Sequence, residues 1–86
     1  MNYKVGDKVL IKSREWYLEN NEGEFLKWVS FPDGTVFGMA RANFCGQVMT
    51  IEHIGLDSCD AEYYLFVEDK EKMHWNDYMI ECKVEE

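Results

Sequence analysis

The chain has 86 residues, with 17 acidic against 9 basic side chains and a net charge of −8. That length holds one domain (residues 1–86) and leaves no room for a second core, a dinucleotide fold or a deep catalytic cleft. The acidic excess argues against direct nucleic-acid binding through a generic phosphate groove, which needs a basic surface.

At 47% hydrophobic and 30% charged residues, with a single Pro, the composition is globular. No stretch approaches the ~18 apolar residues of a membrane span. The first residues, Met1 to Lys8, lack the apolar run of a signal peptide. A cytoplasmic protein without membrane contact, monomeric or weakly dimeric, is expected. Cys45, Cys59 and Cys82 are odd in number and lack Cys-x-x-Cys spacing. They are expected to be reduced thiols, with Cys45 and Cys82 in or near the core. Charge is segregated. Residues 1–14 carry Lys4, Lys8, Lys12 and Arg14 against Asp7, and all the acidic excess follows. The four cations form a strip too small to outweigh it.

Residues 8–12, Lys-Val-Leu-Ile-Lys, form a short β run with Val9 and Ile11 on one face. Gly6-Asp7 marks a turn before it. The polar stretch 13–24 reads as a long loop, unusual in carrying the adjacent aromatics Trp16 and Tyr17. Residues 25–31 are apolar again, and Pro32-Asp33-Gly34 is a turn signal. Residues 35–44 fit either a returning hairpin strand or, by the spacing of Phe37, Ala40 and Phe44, a helical turn near 38–43. A second strand is expected over 45–54. Residues 63–75 read as a hairpin built on Tyr63-Tyr64-Leu65-Phe66-Val67 around the charged turn 69–72. Asn76-Asp77 offers a cap for one helical turn, and a last strand runs from Met79 to Val84.

The sum is mainly β: a small five-stranded SH3-like barrel with a long first loop and one short helical turn before the last strand. Barrels this small are filled by side chains, so function is expected on loops and the outer groove.

Three segments carry a family resemblance. They are Tyr3-Lys4-Val5-Gly6-Asp7-Lys8-Val9-Leu10-Ile11; Met39 followed by Phe44-Cys45-Gly46-Gln47-Val48-Met49-Thr50-Ile51; and Tyr64-Leu65-Phe66-Val67-Glu68-Asp69 with Trp75-Asn76-Asp77-Tyr78-Met79-Ile80-Glu81. In this order they resemble the SH3-like domain repeated in the Mind bomb ubiquitin ligases. They are more similar still to the single-domain versions of bacteriophages and prophages of low-GC bacteria. Residues 18–38 depart from the pattern as a longer insert with its own hairpin signal. The resemblance implies a protein-binding module that takes linear peptide segments, with no catalytic residues and no cofactor.

The residues themselves offer little chemistry. His53 and His74 have no Ser or Cys neighbour in a nucleophile motif. Cysteine reactivity would need a thiolate-stabilising site. No paired spacing places two zinc ligands on one turn, and Asp57, Asp60 and Glu62 lack the closing Glu of a calcium loop. No enzyme activity and no metal are expected. The 13 aromatic residues exceed what so small a barrel can bury. Trp16, Tyr17, Tyr64 and Trp75 are expected to line an exposed groove for an extended peptide. The competing possibility is that Trp16 and Trp75 plug the barrel ends. Trp28 and Phe31 belong either to a second core patch or to the binding surface.

A second function fits the charge. The acidic clusters Glu19/Glu22/Glu24, Asp57/Asp60/Glu62 and Glu68/Asp69/Glu71 could stand in for phosphates. A phage inhibitor built this way would block a host defence nuclease or another nucleic-acid-handling protein.

Overall fold

The computed structural model describes residues 3–22 and 28–85. Its elements are β1 (Lys8–Ile11), α1 (Arg14–Asn20), β2 (Val29–Ser30), β3 (Val36–Phe37), α2 (Met39–Ala42), β4 (Val48–Leu56), β5 (Glu62–Phe66), a 3-10 turn (Asp77–Met79) and β6 (Ile80–Val84). The fold is mainly β, with six strands in two sheets. A four-stranded sheet has the order β5-β4-β1-β6, and β2 pairs with β3 alone. All pairings are antiparallel. No helix among the described residues is long and apolar enough to cross a membrane.

Strand alternation builds the core. Val9 and Ile11 on β1, Met49 and Ile51 on β4, and Tyr64 and Phe66 on β5 all point inward and are almost fully buried. β4 does double duty. Its first residues, Val48 to Thr50, pair with β1, and Ile51 to Leu56 pair with β5. A register irregularity between Ile51 and His53 marks the handover, and such irregularities bend a strand. The bend lets one strand serve two partners. On the outer face Gly55 opposes Tyr63. A Cβ built on Gly55 would lie 2.6 Å from the Tyr63 ring, so any side chain there would push that ring off the backbone.

The expected mainly β fold is present, and among the described residues no closed barrel is found: β5 and β6 stand at opposite edges of the four-stranded sheet. Several finer expectations are corrected. The return of the expected 63–75 hairpin is reduced to one bridge, Tyr64 to Trp75. Residues 14–20 are helix and not loop. Ser13 caps α1 by accepting from the Trp16 N–H at 3.0 Å, and Asn21 ends it. The short run behind Ser13 gives no apolar period to follow. Both readings of 35–44 hold in part, with Val36-Phe37 as strand and Met39–Ala42 as helix. The single turn before the last strand is present, capped by the Asn76 side chain, which accepts from the Tyr78 N–H at 3.0 Å. Cys82 is exposed, because it sits on the outward face of β6 opposite Leu10, whereas Cys45 is half-buried and packs against the core as expected.

Candidate functional site

The expected aromatic groove is not where the sequence put it. Tyr17 is 4% exposed, and Tyr64 and Trp75 have no exposed surface. Trp75 is the centre of the core. Its ring lies 6.1 Å from Phe37, 5.8 Å from Phe44 and 5.3 Å from Phe66, in edge-on or tilted contacts. The Arg41 guanidinium covers it at 5.5 Å. Arg41 is fixed there by donating to the carbonyls of Val36 and His74. Burial pulls its pKa down, and the nearby Asp69 carboxylate opposes that.

Asp69 corrects another expectation. It is 1% exposed and no part of an acidic surface. Its carboxylate accepts from the Trp75 Nε1–H at 3.0 Å, the Met73 N–H at 2.8 Å and the Glu71 N–H at 3.1 Å. A carboxylate supplied with three donors can be buried without orphaned oxygens. Asp69 thus holds both the charged turn and the core tryptophan.

Tyr64 faces inward from β5 and donates its hydroxyl proton to Asp77 at 2.5 Å. Burial and that hydrogen bond hold its phenol well above the ordinary value. Tyr17 packs on Phe37 at 5.8 Å. These three rings pack with Phe37 and Phe66 among the inward aliphatic and methionine side chains of the core, such as Ile11, Met49, Ile51 and Met79.

Trp16 alone of the four reaches the surface. It is half-buried on α1, edge-on to Phe37 at 5.2 Å, and Lys12 Nζ sits 5.8 Å over it. Its ring stacks on Phe31 at 6.0 Å with planes 13° apart. Phe31 in turn stacks on Tyr78 at 5.3 Å and 15°. The three near-parallel rings form a ladder drawn from α1, the β2–β3 hairpin and the 3-10 turn. It ends on Tyr78, which is 46% exposed. Phe31 was legible only as one of two choices. No signal in the sequence separated exposed Tyr78 from Met79, its buried neighbour in the same turn.

Asn76 sets the ladder's geometry. While its Oδ1 accepts from the Tyr78 N–H, its Nδ2 donates to Thr35 Oγ1 at 2.7 Å and reaches Asp33 Oδ2 at 3.4 Å. Thr35 donates its own N–H and hydroxyl to Asp33 Oδ1. Those bonds from Thr35 lower the Asp33 pKa. One side chain therefore latches the hairpin that carries Phe31 to the turn that carries Tyr78.

The remaining acids divide by what they already hold. Glu22 accepts from the Ser30 N–H at 2.9 Å. Glu68 accepts both the N–H and the hydroxyl of Thr50. Asp57 accepts from the Cys59 and Ala61 N–H groups. Glu19, Asp60, Glu62 and Glu71 are exposed. Glu24 lies outside the described residues. Asp60 and Glu62 line a cleft of about 260 Å³ with Asp33, Asp77 and Tyr78. Among the described residues no group of three or more His, Cys, Asp or Glu is placed to hold a metal ion.

No protein-family model, curated protein or solved structure matches the chain.

Proposed function

We propose that the protein is a small non-catalytic interaction module that takes an extended segment of a partner protein against the Trp16–Phe31–Tyr78 ladder. The observation that carries this reading is the ladder itself. Monomers tend to keep aromatic rings inside, and partly exposed aromatic clusters mark binding surfaces. The two centroid steps span at most about 11 Å, the length of three or four extended residues. The ladder is also pre-set by the Asn76 latch, which lowers the ordering cost of binding.

The same proposal reads the fold as an SH3-like barrel of the Mind bomb type, in a cytoplasmic, phage-derived protein. In its support, the Trp75 bridge, β5, β4, β1 and β6 follow one another in space, and one helical turn precedes β6. A long excursion separates β1 from β4. Burial pushes the Cys45 thiol up, away from the thiolate that a cysteine nucleophile needs, which speaks against that one residue as a nucleophile. The alternative, an acidic mimic of nucleic acid, draws less support. Asp69 is buried, and Glu22, Asp57 and Glu68 are spent on the protein's own backbone.

The test is a comparison of baits in a bacterial lysate. A partner held by the wild type and lost with Tyr78→Ala, at unchanged circular dichroism, is the expected result. A partner held equally by both proteins, and released only by salt, would contradict the reading and favour the mimic.

A further inference from the structure

We infer that the segment taken by the ladder carries a lysine or arginine, whose cationic head sits in the cleft beyond Tyr78. The inference rests on the ladder being the binding surface and names the chemistry of what binds there.

Two independent features meet at this point. The first is the open end of the ladder. The Tyr78 ring is stacked on Phe31 on one side and lines the cleft formed with Ala61 and Asn76. The π face of an aromatic ring attracts a cation. The second is charge. The cleft is lined by Asp33, Asp60, Glu62 and Asp77 and by no Lys, Arg or His. These acids by themselves would be an ordinary solvated face. Their position at the end of the apolar ladder sets the complement: apolar side chains along the rings, then a cation one step further on.

Asp33 is held in its charged form. The Thr35 hydrogen bonds favour the ionised form of Asp33. Asp77 receives the Tyr64 hydroxyl. Among the described residues, the side chains of Asp60 and Glu62 make no hydrogen bond or ion pair. Arg41 and His74 line the adjoining cavity, which shares Asp33, Ala61, Glu62 and Asn76 with the cleft, and Arg41 is committed there to the carbonyls of Val36 and His74 and to the Trp75 ring. An acidic segment would be repelled here. A neutral one would gain the rings and nothing from the cleft.

The test selects a displayed library of random dodecapeptides on the wild-type protein and on an Asp60→Asn, Glu62→Gln double variant. Asn keeps the positive φ of 62° that position 60 adopts. Wild type is expected to enrich peptides with Lys or Arg beside apolar residues. The best synthetic peptide should bind the double variant about tenfold more weakly and should weaken with salt on the wild type. Its binding should shift the NMR signals of Trp16, Phe31 and Tyr78. Enriched peptides that shift those signals but lack basic residues, or bind both proteins equally with no salt dependence, would overturn the cation and leave the ladder standing. Failure to enrich any peptide, or shifts confined to other surfaces, would overturn both.

Discussion

Tyr64 shows how one side chain links the core to the surface. Its ring is inside, and its hydroxyl reaches Asp77 in the turn that presents Tyr78. The phenol's ordinary value is 10.0, and the fold holds it higher, chiefly through burial. Because the native state keeps the proton longer than the unfolded chain, this contribution is complete below that pH and fades as pH rises above it. Stability measured by urea unfolding should therefore fall steeply beyond pH 10. Tyr64→Phe should be less stable by about 1 kcal/mol at neutral pH, from the lost hydrogen bond. It should also lose less stability in alkali. Tyr3 and Tyr17, both raised by burial, keep part of the slope. An alkaline slope unchanged in the variant would show that Tyr64 is not the group responsible.

At the scale of elements, the hairpin β2–β3 and the 3-10 turn are joined by Asn76. Asn76→Ala removes both the cap and the latch. It should cost about 1 kcal/mol, in line with the loss of a helix cap. Its distinctive effect should be on the ladder: the ring-current shifts of Phe31 and Tyr78 in NMR should collapse while those of the core rings stay. Equal shifts in variant and wild type would mean that the stacking does not depend on the latch. Acid acts on the same latch. Asp33 has a lowered pKa, so its contribution holds above the ordinary carboxylate value of 3.8 and is lost as pH falls through the lower folded value.

Some elements are legible in the sequence and others are not, for physical reasons. β1, β4 and β5 were legible because period-two alternation of Val9/Ile11, Met49/Ile51 and Tyr64/Phe66 needs only a one-sided sheet. The turn before β6 was legible from its cap. Helix α1 was not, since its burial rests on Tyr17 and Trp16 alone, too few positions to show a period. The candidate site failed in one respect. Aromatic residues were recognised as the informative set, but which rings go inside is decided by tertiary packing. The sequence favoured Trp75 and Tyr64 as surface. Asp69 and Asp77, by accepting their N–H and O–H, make their complete burial affordable.

For the molecule as a whole, eight of the thirteen aromatic residues fall into two sets with different work. Phe37, Phe44, Phe66, Tyr64 and Trp75 hold the two sheets and the α2 segment on one core. Trp16, Phe31 and Tyr78 cross its surface as the proposed docking ladder, bordered by carboxylates. The division predicts opposite behaviour of neighbouring rings. The direct measurement is urea unfolding of Trp75→Ala and Tyr78→Ala, together with binding of a peptide selected on the wild type. Trp75→Ala should lose about 3–5 kcal/mol, much of the stability of so small a domain. Tyr78→Ala should unfold within about 1 kcal/mol of the wild type and bind the peptide at least about tenfold more weakly. A Trp75→Ala protein that stays folded but loses the peptide, or a Tyr78→Ala protein that keeps it, would contradict the account.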